Sequence, residues 1–230
     1  WTAIVLSSLG LALFYQGNYE RAGAFSEESL ALFREMGDLR GIAAVLTNQG
    51  MMSLEQGDDE QAARLCEESL ALRRQVGDKG GSAHTLAMLG RVAFSQHNYQ
   101  RAAACYQESL ALRQESGERE GIAEALEGLA GICAVWGEAS SAALLLGAAG
   151  AQRESTGVAI PPMDRIFNER INATIRAQLD EKAFTAAWTE GRAFTLEQVL
   201  AFQETLTPPE PSLPGHPIPS HPIATSSLPG

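Results

Sequence analysis

The chain has 230 residues, 45% of them hydrophobic and 7% aromatic, and its 17 basic and 28 acidic residues give a net charge of -11. This length suits one large domain or one repeat array with a tail. A surface this acidic repels phosphate groups, which argues against direct binding to nucleic acid or to an anionic membrane. No run of residues approaches the roughly 18 apolar residues that a membrane-spanning helix needs.

The cysteines are odd in number, and the spacing of Cys66, Cys105 and Cys133 fits no metal site or disulfide framework. We interpret them as small buried apolar residues in a reducing compartment, which predicts a cytoplasmic location. No segment resembles a signal peptide. Trp1 already lies in a helical pattern, and we therefore expect this chain to be a piece of a longer protein.

An internal repeat organises the first two thirds of the chain. The string Glu-Glu-Ser-Leu-Ala-Leu at 27–32 recurs unchanged at 67–72 and with one change at 107–112. Glycines followed by an acidic residue recur with the same shift at 37–38, 77–78 and 117–118. A fixed period of this length is the signature of a repeat array in which neighbouring units share one core.

Each repeat unit is predicted to be a pair of helices. The first helix spans about 2–16, since its apolar residues recur at helical spacing, and Gly17 ends it. Asn18 is a favourable N-cap for a second helix over about 19–36. The same pattern of helix-ending and helix-capping residues predicts four helix pairs, over about 2–36, 39–76, 79–116 and 119–154.

These units resemble the tetratricopeptide repeat in a 40-residue form. The residues that carry the resemblance are Leu9-Gly10, the turn Gly17-Asn18-Tyr19, Ala22 and the following Ser-Leu. The resemblance covers about residues 1–154. It implies an all-α, right-handed α-solenoid that binds proteins or peptides.

Three further helices and a tail follow the repeats. Pro161-Pro162 begins a predicted helix that runs to about residue 179, Asp180 caps the next, and Thr195 with Gln198 forms a capping box for the last. Eight of the ten prolines lie beyond residue 207, which is typical of a disordered linker. The predicted domains are therefore four helix pairs over 1–156, capping helices over 157–206 and a Pro-rich linker over 207–230.

The C-terminal helices support a second, narrower resemblance. The segments 145–149, 161–162, 184–193 and 196–198 are similar to the end of the sensor region of large bacterial LuxR-type and signalling-ATPase transcription regulators. The resemblance implies ATPase and helix-turn-helix domains elsewhere in the parent chain. No Gly-rich phosphate loop occurs in this sequence. Related arrays also accompany bacterial kinase domains.

No catalytic constellation is present in the sequence. His216 and His221 lie in the tail and His97 lies in a turn, and neither His-Glu-x-x-His, Cys-x-x-Cys nor Gly-x-Ser-x-Gly occurs. We therefore expect no enzymatic activity, no cofactor and no metal ion.

The candidate site is the concave groove, because the first helix of each pair lines that side in tetratricopeptide arrays. Arg91 could hold a carboxylate and Asn48 could bond a peptide backbone. The alternative is that Arg91 and His84 are merely solvated and that Met88 is a core residue. Shifting the inward positions by one repeat period predicts a groove formed by Ser7, Leu11, Phe14, Thr47, Asn48, Met51, His84, Met88, Arg91, Glu124 and Glu127.

The sequence thus predicts a module that binds a protein or peptide segment. It is expected to be the sensor or regulatory part of a multidomain bacterial transcription regulator. The alternative is a stand-alone or kinase-linked tetratricopeptide scaffold that binds a partner protein.

Overall fold

The computed structural model describes residues 1–157 and 162–206, and eleven α-helices account for the regular structure of this part. The predicted all-α right-handed solenoid with a C-terminal helical cap is confirmed. The Pro-rich segment 207–230 lies outside the described residues. In chain order the helices are α1 (Thr2–Tyr15), α2 (Tyr19–Met36), α3 (Leu39–Glu55), α4 (Asp59–Gln75), α5 (Lys79–Ser95), α6 (Tyr99–Ser116), α7 (Ile122–Val135), α8 (Ala139–Thr156), α9 (Pro162–Gln178), α10 (Glu181–Ala193) and α11 (Leu196–Glu204).

The two helices of a pair are joined by one recurring buried hydrogen bond. The serine of the repeated Glu-Ser-Leu string donates from its hydroxyl to an alanine carbonyl oxygen in the first helix of the same pair. The bond is 2.7 Å long from Ser29 to Ala3, from Ser69 to Ala43 and from Ser109 to Ala83. The serine of the repeated string therefore makes a contact that holds the helices of each pair in one register.

Small residues let the paired helices approach closely. A Cβ on Gly50 of α3 would lie 2.5 Å from the Cys66 Sγ, and a Cβ on Gly90 of α5 would lie 2.8 Å from the Tyr106 ring. The Tyr106 ring also packs against Gly128 of α7, where a Cβ would clash with it. Tyr106 is consequently one of the largest fully buried side chains of the described residues.

The start of α7 differs from the prediction. Asp38 and Asp78 cap α3 and α5 by accepting hydrogen bonds from the N–H groups of Gly41 and Gly81, at 3.0 and 3.1 Å. Glu118 stands at the corresponding position before α7 but does not cap it, and its carboxylate lies between Arg113 and Gly80. The helix therefore begins at Ile122 rather than near residue 119, and no side chain of the described residues caps its first turn.

The capping helices close the C-terminal end of the array. Helix α9 packs on α7, where Ile171 fills the space above Gly131, and on α5, where Phe167 lies edge-to-face with Phe94 at 5.4 Å. Helix α10 crosses α8 at two glycines. A Cβ on Gly147 would clash with the Trp188 carbonyl oxygen, and a Cβ on Gly191 would clash with that of Leu144.

The opposite end of the array leaves an apolar face uncovered in the described structure. Val5 of α1 is 60% exposed, whereas Val45 at the same repeat position in α3 is fully buried. Leu9 is likewise exposed, and its counterparts Leu89 and Leu129 are buried. The second helix of the preceding pair covers these positions in α3, α5 and α7.

The α8–α10 crossing gives a direct test of the fold. Replacing Gly147 with alanine should destabilise the protein by roughly 1–3 kcal/mol, because backbone on both sides cannot move aside. Replacing Gly23, an exposed helical glycine with nothing within 4 Å of its added Cβ, should instead stabilise it by roughly 0.5–1 kcal/mol. Urea unfolding measures both changes, and a Gly147→Ala variant as stable as the parent would contradict the described crossing.

The concave groove as the candidate functional site

One face of the array is formed by the first helices of successive pairs, and three side-chain contacts join those helices along it. The Asn48 amide of α3 donates to the Ser7 hydroxyl of α1 at 3.3 Å. The Tyr15 hydroxyl of α1 lies 3.6 Å from the Met51 sulfur. Arg91 of α5 pairs with Glu55 of α3 at 3.4 Å. We call this face the concave groove, and α1, α3, α5 and α7 form its floor.

Six of the residues predicted for the groove are partly or fully exposed and lie on the first helices. They fall in the same helical rows that carry the contacts between those helices. Their side chains are accessible to a bound segment in the described structure. These residues are Ser7, Leu11, Asn48, His84, Arg91 and Glu124.

The other five predicted residues are buried, and their assignment to the groove surface is corrected here. Phe14, Met51 and Met88 belong to apolar clusters of the core, because neighbouring helices cover them. Thr47 and Glu127 are held by polar partners inside the protein. Met88 is thus a core residue, as the alternative interpretation proposed. The five are Phe14, Thr47, Met51, Met88 and Glu127.

Thr47 is held in a buried network of hydroxyl groups. Its Oγ1 donates to the Ala43 carbonyl oxygen at 3.1 Å and lies 2.8 Å from Ser69 Oγ and 3.1 Å from Thr85 Oγ1. These contacts satisfy the hydroxyl inside the protein. Thr47 therefore links α3, α4 and α5 and is not available to a ligand.

Glu127 is neutralised by an internal arginine. Its carboxylate receives two hydrogen bonds of 2.6 Å, from Nε and Nη2 of Arg153 in α8. Such a two-point pairing offsets the cost of burying both charges. Glu127 therefore ties α7 to α8 beneath the groove.

The middle of the groove holds a neutral histidine near arginines that are paired with carboxylates. Loss of hydration at the His84 ring, followed by the charges of Arg113 and Arg73, lowers its pKa from 6.5 to about 4. The imidazole is therefore uncharged at neutral pH. The Arg91 guanidinium already pairs with Glu55, so a ligand carboxylate there would compete with that contact.

Several groove residues fall outside the predicted set. Ser8 and Tyr15 of α1 and Glu55 of α3 lie in the exposed rows and are at least partly accessible. The signal for them was present in the sequence, since residues spaced i, i+4, i+7 and i+11 share one helix face. Starting that row at residue 4 of the first repeat gives Ser8 and Tyr15, and the equivalent row of the second repeat gives Glu55, although Met51 and Met88 in the same row are buried.

The tetratricopeptide repeat family profile matches residues 1–75 and 41–115. Together these matches cover half of the chain, and the chain belongs to the tetratricopeptide repeat family. Comparison with curated proteins gives no match. The fold and family define a protein–protein interaction module, and no enzyme family is indicated.

Within residues 1–157 and 162–206, no three His, Cys, Asp or Glu side chains come together as metal ligands would. Across the same residues, no helix combines the length and apolar character needed to span a bilayer.

The Glu127–Arg153 pair should be far more important for stability than a comparable exposed pair. Glu127→Ala removes the carboxylate that neutralises a mostly buried arginine, and we expect a loss of about 3–5 kcal/mol. Glu154 also receives two hydrogen bonds, of 2.8 and 2.7 Å from Arg192, but its side chain is 65% exposed. Glu154→Ala should therefore cost much less. Equal losses in urea unfolding would show that Glu127 is not buried as described.

Proposed function

We propose that the concave groove binds an extended protein segment and that the module is the sensor or regulatory part of a multidomain bacterial transcription regulator. The observation that carries the first part is the row of accessible side chains along the first helices. These side chains stay partly or fully exposed although Asn48 bonds Ser7 and Arg91 pairs with Glu55.

The character of the groove changes along its length. Ile4 and Leu11 make the α1 end apolar, Asn48 supplies an amide near the middle, and Arg91 and Glu124 supply charges towards α7. An extended segment with an apolar end and polar or charged groups at the other end matches this order. Helix α9 packs on α7 and α5 and so limits the groove at its C-terminal end.

Two features support a regulator with additional domains. Two of the segments that resemble the end of bacterial regulator sensor regions, 145–149 and 184–193, meet at the crossing of α8 with α10. The uncovered apolar face of α1, with Val5 and Leu9 exposed, is suited to a preceding helix pair in a longer parent chain. A scaffold linked to a kinase, or a free-standing adaptor, is the competing assignment.

Site-specific photo-crosslinking tests the groove in source cells. A photoreactive amino acid at Ser8 should cross-link a partner protein, because this position is exposed on the groove floor. The matched control places the same amino acid at Ala71, an exposed position on α4, and should give no such product. Cross-links from Ala71 but not from Ser8 would contradict binding in the groove.

The size of the native protein tests the regulator assignment. An antibody against this chain should detect a band far above 24.5 kDa in source cells, and mass spectrometry of that band should give peptides of a helix-turn-helix domain. A large band with kinase peptides would favour the kinase-linked scaffold. A band at the mass of this chain alone would favour the free-standing adaptor.

A further inference from the structure

The internal repeat places an arginine at the same position of three successive second helices. Arg73, Arg113 and Arg153 lie in the last turns of α4, α6 and α8 respectively. All three guanidinium groups are largely removed from solvent, with side chains only 10%, 3% and 12% exposed. A cation in such surroundings requires a carboxylate or an equivalent set of hydrogen-bond acceptors.

The first and last of these arginines each have a close carboxylate within the chain. Asp78 Oδ2 lies 2.9 Å from Nη1 of Arg73, while its other oxygen caps α5 through the Gly81 N–H group. Glu127 takes both Nε and Nη2 of Arg153, each at 2.6 Å. At these two positions, a carboxylate of the chain itself pairs closely with the buried arginine.

Arg113 is held less closely by the carboxylate at the equivalent position, Glu118, than Arg73 is by Asp78. Its Nη1 donates to the Glu120 carbonyl oxygen and lies 3.4 Å from Glu118 Oε1. Its Nε makes no hydrogen bond with any described residue. The position that corresponds to Glu127 in the preceding repeat is Ala87, which offers no carboxylate.

The local cause is the replacement of aspartate by glutamate at position 118. The Glu118 carboxylate lies beside Gly80 at the start of α5, where an added Cβ would be 3.0 Å from Oε2. The first turn of α7 is consequently left without a side-chain cap from the described residues. The Arg113 guanidinium packs directly against Gly121, the N-cap residue of that helix.

A cavity of about 280 Å³ opens at this point. Its basic lining residues are His84, Arg113, Arg119 and Arg153, and the first turn of α7 completes one wall. Three carboxylates also line it, those of Glu118, Glu120 and Glu124, so a bound anion must approach from the arginine side. A helix start attracts anions through its dipole. His84 and Glu124 belong both to the cavity and to the concave groove.

We propose that this cavity binds a carboxylate of the segment in the groove, in the place that Asp78 occupies beside Arg73. The bound carboxylate pairs with Arg113 and caps α7, as the Asp78 carboxylate pairs with Arg73 and caps α5. Arg119 at the rim adds charge. The inference rests on the proposed function and deepens it by naming one chemical group of the partner.

Small carboxylates test the site without a partner protein. The probes are N-acetylglycine, which carries only a terminal carboxylate, and N-acetyl-aspartyl amide, which carries only a side-chain carboxylate. Titration should give saturable shifts of the Gly121 and Ala123 amide signals in nitrogen-15 NMR spectra. The tighter of the two probes identifies the source of the carboxylate, and binding of either supports the site.

Glu118→Asp is the decisive variant. The shorter side chain restores the arrangement of Asp78 and should weaken probe binding at least tenfold while leaving the protein folded. Arg119→Gln should weaken binding severalfold, and Arg40→Gln, an exposed change at α3, should have no effect.

Three results would overturn the carboxylate site: no saturable shift with either probe, binding of inorganic phosphate alone, or unchanged binding in Glu118→Asp. If one of these occurs while Ser8 still cross-links a partner, only the carboxylate assignment fails. If no groove cross-link forms, the proposed function fails even where the probes bind.

Discussion

The close approach of the two helices in each pair is the constraint on which the rest of the structure depends. The same 2.7 Å hydrogen bond joins serine and alanine carbonyl in three successive pairs. At this separation, a side chain at Gly50 or Gly90 of a first helix would clash with Cys66 or Tyr106 of the second helix. The large side chains of the second helix therefore fill the space between the helices. The rows of the first helices that stay exposed form the groove.

Much of the fold follows from the sequence, because the glycine, aspartate and Glu-Ser-Leu positions repeat with one period. The groove was only partly predictable. Thr47 and Glu127 are polar residues on first helices, and pattern alone places such residues at the surface. Their burial depends on Ser69, Thr85 and Arg153, which lie in other helices and which no local pattern connects to them. The late start of α7 goes with glutamate in place of aspartate at position 118, whose side chain does not cap the helix.

The segments that suggested a regulator have a structural role of their own. Gly147 and Gly191 allow α8 and α10 to meet at backbone distance, and Arg192 stacks over Trp188 beside that crossing at 4.9 Å. These residues therefore define how the array is capped. Their resemblance to regulator segments is therefore explained by the cap and carries no information on the ligand.

Hydroxyl-radical footprinting of the native protein with its cross-linked partner tests the central claim, that the concave groove is the binding face. Tyr15 on the groove side of α1 and Met36 at the end of α2 are exposed to similar extents, 51% and 60%. The partner should protect Tyr15 from oxidation and leave Met36 unchanged. Protection of Met36 with full reactivity at Tyr15 would place the partner elsewhere and contradict this account.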